Sequence, residues 1–164
     1  MRRVLGLALI VVACGGAERE AGDGSETVAV APDWVRVEAA CGEGYSFYAP
    51  PEIAVQPAQG IDSCIDLWTT SVCSYHGDYG WFSNDLTGYG DLPQYRQMEK
   101  VIDGRRARVI SALLEGDFIA AVHFGGIDPD SDKVALTLWV RCTDEVGRQH
   151  ALTAFDTIVF PPQG

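Results

Sequence analysis

The densest run of side chains able to do chemistry is Ser74-Tyr75-His76-Gly77-Asp78-Tyr79-Gly80-Trp81-Phe82, with Asp85 just beyond it. Read as a site, it offers His76, Asp78 and Asp85 as an imidazole and two carboxylates, walled by Tyr79 and Trp81. Such a set suits a small ligand or a metal ion, or a recognition surface, because Tyr and Trp bury large rigid area against a partner. A twisted strand whose rings fill the core accounts for the same residues. The two readings differ in which rings face outward. The acids lack an evident second catalytic partner, so recognition is the expectation taken forward, on Tyr75, His76, Asp78, Tyr79, Trp81 and Asp85.

Other chemistry is sparser. The sequence has no GxSxG, HExxH, phosphate-binding Gly-rich loop or EF-hand loop. No catalytic residue, cofactor or metal site is therefore assigned. His123 lies inside an apolar run and reads as a hydrogen-bonded strand residue, and His150 as a solvent-facing helix residue. Asp128, Asp130 and Asp132 alternate as Ca²⁺ ligands sometimes do, but the EF-hand glycine and distal Glu are missing, which leaves a solvated loop. Arg105, Arg106 and Arg108 form a basic cluster on an acidic chain. Arg106 and Arg108 share a strand face and could meet an anionic partner or pair with nearby acids.

The chain has 164 residues, enough for one domain with a proper core. Its 12 basic and 23 acidic side chains give a net charge of −11, which argues against nucleic acid as a partner. Apolar residues make up 47% of it, as in a globular protein. Met1-Arg2-Arg3 precedes an apolar stretch, Val4 to Ala13, that matches a signal-peptide core and is too short to span a bilayer. The stretch ends Val11-Val12-Ala13-Cys14-Gly15, which resembles the lipobox of bacterial lipoproteins. The resemblance implies a signal peptide at 1–13, a diacylglyceryl group on the Cys14 thiol, and anchorage in the cell envelope through lipid, including palmitate. Gly15 is not the Asp that retains such proteins in the inner membrane of well-studied Gram-negative bacteria, so the outer membrane is expected. Loss of Arg2 and Arg3 would leave 10 basic against 23 acidic residues, net −13. Residues 14–33 then read as the lipidated Cys and a flexible tether; a segment of this length spans about 25 Å.

Five cysteines are present, and with Cys14 lipidated four remain, an even number in an exported chain. Two disulfides are expected. The favoured pairing is Cys64 with Cys73 across the Thr69-Thr70-Ser71 turn, and Cys41 with Cys142. The competing pairing joins Cys41 or Cys64 to Cys142 and gives Cys73 another partner. Zinc-type CxxC spacing is absent.

Residues 34–162 read as one α+β domain. Alternation predicts strands at Trp34–Glu38 and Tyr45–Tyr48, and a hairpin from Ile61–Trp68 and Val72–Phe82, where Gly77 and Gly80 mark bulges or close contacts. Asp103-Gly104 predicts a tight turn between Met98–Ile102 and Arg106–Ile110. Glu115-Gly116-Asp117 turns into Phe118–Phe124, and Val134–Cys142 returns as a strand. Thr143 is the expected N-cap of a helix buried through Val146, Ala151, Ala154 and Phe155, before a short closing strand at Thr157–Phe160.

The segments Gly44-Tyr45-Ser46-Phe47-Tyr48-Ala49-Pro50, Ile102-Asp103-Gly104-Arg105-Arg106-Ala107 and Thr153-Ala154-Phe155-Asp156-Thr157-Ile158-Val159-Phe160 resemble the opening strand, central hairpin and closing helix and strand of PsbP-like domains. This resemblance implies an antiparallel sheet between helices, an α/β/α sandwich with the C-terminal helix packed on the sheet. It also implies a binding or assembly module rather than an enzyme, with an envelope protein as partner. Two features depart from the family's pattern: the four domain cysteines, and the lack of a helix between the first strands, where Ala54 to Gly60 is short and holds Pro57.

Overall fold

Alternating residues after Trp34 form β1 (Val35–Glu38), which pairs antiparallel with β2 (Ser46–Ala49) in a separate two-stranded ribbon. The computed structural model describes residues 30–41, 44–128 and 131–162. The expected signal peptide, Cys14 and most of the expected tether lie outside those residues. The main sheet is built in chain order from β3 (Ala54–Gln56), β4 (Cys64–Thr69), β5 (Cys73–Gly80), β6 (Arg96–Ile102), β7 (Arg105–Leu114), β8 (Asp117–Gly125) and β9 (Ala135–Cys142). All seven pair antiparallel, in the spatial order β3-β4-β5-β9-β8-β7-β6. The short β3 occupies the Ala54 segment, where no strand was expected; its apolar residue Val55 is exposed, so no buried stripe marks it.

Two tight turns fix the register of β6, β7 and β8. Asp103 and Gly104 have φ of 48° and 73°, and Ile102 faces Arg105 across them; Glu115 and Gly116 repeat the arrangement at 55° and 95°. Both residues of each turn are left-handed, the geometry that the right-handed twist of a hairpin requires. No atom lies within 4 Å of a Cβ placed on Gly104, so the cost of a side chain there is purely backbone strain. Gly104→Val should therefore lower stability by about 1–3 kcal/mol, read as a fall in thermal midpoint. An unchanged midpoint would show that the turn tolerates a β-branched residue.

One sheet face carries the main core. Trp68, Tyr75, Val109, Ala120, Val122, Leu138 and Val140 lie under Phe47, Tyr45 and Val37 of the ribbon region and under the helix α1 (Glu145–Phe155). The helix buries Gly147, Ala151, Ala154 and Phe155, whereas Val146, expected on that stripe, is exposed. Its N-cap is Asp144, which accepts from the Gly147 N–H at 2.7 Å, and not Thr143. Thr143 instead donates its N–H to the Val72 carbonyl at 2.9 Å, so it still belongs to the strand pairing. The C-terminal segment closes by a single bridge between Val159 and Ser46.

The fold is thus a mainly antiparallel sheet with one C-terminal helix packed on it. A second helical layer is not present among the described residues. The opposite face is covered by segment 81–95, which Gly88, Gly90 and Pro93 keep from becoming more than a 3₁₀ turn at Thr87–Tyr89. There Leu86, Tyr89 and Tyr95 pack on Ile110, Ala121 and Trp139.

The disulfides join Cys41 to Cys64 and Cys73 to Cys142, which corrects the expected pairing. The β4–β5 register explains it. Cys64 faces Tyr79, so it sits at the open end of the hairpin, whereas Cys73 sits beside the turn and faces Cys142 across β9. Cys41 is brought to Cys64 by Asp66, whose buried carboxylate accepts the N–H groups of Ala40 and Cys41, both at 3.1 Å.

Candidate functional site

The strand register lines up Glu99, Arg108, His123, Thr137 and Asp78 in one row across β6, β7, β8, β9 and β5. Period-2 alternation puts all five on the face opposite α1. Residues 83–87 lie over this row and are tied to it. Thr137 donates its hydroxyl proton to the Asn84 carbonyl at 2.7 Å, Ser83 Oγ lies 2.7 Å from Thr137 Oγ1, and Arg108 donates to the Asp85 carbonyl at 2.7 Å. His123 Nδ1 is 2.9 Å from Thr137 Oγ1.

These contacts assign the protons through the hydrogen-bond network. The Asn84 carbonyl can only accept; with the Thr137 proton assigned to it, His123 Nδ1 is the donor of the pair that it makes with Thr137. His123 is therefore a donor to Thr137 and not its base. A nucleophilic hydroxyl needs the opposite arrangement, with its proton pointing at the imidazole. The group acts as a latch: it satisfies the buried Thr137 and the half-buried His123 and holds the loop on the sheet.

Burial pushes the His123 pKa below its ordinary value near 6.5; the Asp85 carboxylate opposes the shift and the Arg108 guanidinium adds to it. The exposed Asp85 has its own pKa held down, chiefly by hydrogen bonds from the Thr87 hydroxyl and N–H to Oδ1. The His123 shift has a definite sign for stability. A histidine with a lower pKa folded than unfolded binds fewer protons in the native state, so stability drops as pH falls below about 6.5 and levels off below the folded pKa. Urea melts between pH 8 and pH 5 should show His123→Gln losing less stability on acidification than wild type. Equal slopes would mean that His123 contributes nothing to that window.

The Tyr75–Asp85 stretch divides. Tyr75 is 1% exposed, packed with Phe47, and belongs to the core, so it leaves the recognition set. Tyr79 is half-buried on the same side and packs against the core. His76 is exposed on the opposite face, facing Trp139 on β9. Asp78 belongs to the polar row, and its Oδ1 is buried with no hydrogen-bond partner among the described residues. Gly77 marks a close contact: a Cβ there would run into the Tyr45 hydroxyl. Past the end of β5, Trp81 is 63% exposed and Phe82 72%, with Lys133 Nζ 5.8 Å from the centre of the Trp81 ring. His76, Asp78 and Asp85 thus do not form a metal-binding group. Sequence reading passed over Ser83 and Thr137, because their part in the latch depends on the β8–β9 register, which no short motif encodes.

No metal-binding group of three or more His, Cys, Asp or Glu occurs among the described residues. Asp130 of the Asp128–Asp132 loop lies outside them. No protein-family model and no curated protein matches the chain.

Proposed function

We propose that the chain is a bacterial envelope lipoprotein, anchored by lipid on Cys14, whose PsbP-like domain is a non-catalytic binding or assembly module for another envelope protein. The adjacent exposed rings of Trp81 and Phe82 carry this reading. Two large aromatics consecutive in the chain and both in solvent call for a partner, unlike scattered single apolar residues. The Val11-Val12-Ala13-Cys14 motif supports the anchor, and the two disulfides suit an oxidising compartment. Among the described residues no helix is long and apolar enough to cross a membrane.

Affinity capture of the full-length protein from membranes tests the binding function. A specific envelope protein should come with wild type and be lost from Trp81→Ala and Phe82→Ala, while both variants keep the wild-type melting temperature. Retention of that partner by both variants would remove the aromatic pair from the interface. Labelled palmitate tests the anchor separately: Cys14→Ser should incorporate none, because a hydroxyl is a far poorer nucleophile than a thiol. Normal incorporation by that variant would refute lipidation at Cys14.

A further inference from the structure

The sheet has one long open edge. Among the described residues β6 pairs only with β7, and six of its seven residues are exposed or half-buried. The other edge, β3, has only three residues. In a two-residue hairpin the residues flanking the turn exchange both hydrogen bonds, so Ile102, Lys100 and Met98 bond to β7. The N–H and C=O groups of Gln97, Glu99 and Val101 therefore point outward, the pattern that a further strand would complete.

Charge selects what that strand would be. Residues 96–108 carry five basic and two acidic side chains, net +3, on a chain of net −11, which leaves −14 on the rest. Several of these cations are already engaged. Lys100 holds Asp156 at 2.7 and 2.8 Å, Arg108 pairs with Glu99, and Arg105 lies over the Phe160 ring while donating to the Ile127 carbonyl. Arg96 and Arg106 remain exposed and make no salt bridge among the described residues, although the charge of Arg96 is felt by Glu145.

A second copy of the chain fits poorly. A two-fold antiparallel pairing centred on Met98 sets Arg96 against Lys100, one centred on Glu99 sets Glu against Glu, and one centred on Lys100 sets Lys against Lys. Like charges directly opposite one another destabilise a strand pair. The edge thus discourages its own kind.

We infer that β6 is a strand-addition site for an extended acidic segment of a protein partner, with acids opposite Arg96 and Lys100, the latter sharing its ammonium between the partner and Asp156, and an apolar residue opposite Met98. This rests on the edge and its charge, independently of the lipid anchor and of Trp81, and it goes beyond the function proposed above.

The test uses the disulfide-bonded protein labelled with ¹⁵N and a blocked synthetic peptide, Thr-Val-Glu-Lys-Val-Thr-Glu, which places its acids opposite Lys100 and Arg96 in the antiparallel register. Saturable shifts should centre on the amides of Gln97, Glu99 and Val101. Exchanging the two Glu of the peptide for Lys should weaken binding about tenfold or more. N-methylation of the peptide at the backbone positions facing β6 should abolish it, as should Val101→Pro, which removes an outward donor of the edge. The methylated peptide keeps the test valid if that variant fails to fold. The proposal is overturned by absence of saturable shifts at β6, by equal affinity for the Lys peptide, by binding that survives N-methylation, or by a concentration-dependent dimer that occupies the edge instead.

Discussion

Tyr75→Ala is expected to cost about 3–5 kcal/mol, the range for truncating a buried aromatic ring. The ring is 1% exposed, stacks with Phe47 at 6.2 Å between centroids, and faces Trp68 on one side and Val140 on the other. Collapse of neighbours into the space is limited because Phe47 and Trp68 are themselves in edge contact, at 5.4 Å. Tyr75→Phe separates ring from hydroxyl. The hydroxyl is buried without a hydrogen-bond partner among the described residues, and burial pushes its pKa up to about 12, with Glu52 adding to the shift. Removing an unsatisfied buried polar group is close to neutral or stabilising. Chemical denaturation should therefore rank Tyr75→Phe at or above wild type and Tyr75→Ala far below. If Tyr75→Ala melts like wild type, the ring is not part of the core.

The contrast between Tyr75 and Trp81 shows what the sequence discloses and what it withholds. Both lie in one aromatic run, and alternation gives Tyr75 and Tyr79 the same side. It does not say which side carries the helix, nor that the strand stops at Gly80 and leaves Trp81 outside it. The hairpin turns were legible because Asp103-Gly104 and Glu115-Gly116 are local signals whose backbone angles follow from residue type. The fold class was legible for the same reason: strand alternation and helical spacing are short-range patterns. The α1 cap was misplaced by one residue because Thr143 is claimed by a long-range hydrogen bond to Val72, which local chemistry cannot foresee. The latch of Ser83, His123 and Thr137 was illegible for a stronger reason. Its members are 40 and 14 residues apart and meet only through the β8–β9 pairing and the loop laid over it.

The cysteines carry the same lesson into a measurement. Hairpin proximity suggested Cys64 with Cys73, but in an antiparallel pair a residue meets only the one at the same distance from the turn, and Cys64, at the far end, meets Tyr79. Non-reducing peptide mapping should return linked peptides for Cys41–Cys64 and Cys73–Cys142, and denatured protein should offer no alkylatable thiol among these four. A Cys64–Cys73 link would contradict the β4–β5 register itself. The two bonds should also differ in weight. Cys73–Cys142 closes a separation of 69 residues and Cys41–Cys64 one of 23, so the chain-entropy model assigns about 4 and about 3 kcal/mol. The longer bond has a further role, because α1 rests on it: a Cβ on Gly147 would sit 2.6 Å from Cys73 Sγ and 3.2 Å from Cys142 Sγ. Cys73→Ala with Cys142→Ala should thus loosen the helix as well as enlarge the unfolded ensemble, with a loss at or above about 4 kcal/mol. Cys41→Ala with Cys64→Ala should lose less, since Asp66 still holds the Ala40 and Cys41 backbone. Urea midpoints in the reverse order would mean that loop closure and helix support are not what the Cys73–Cys142 bond contributes.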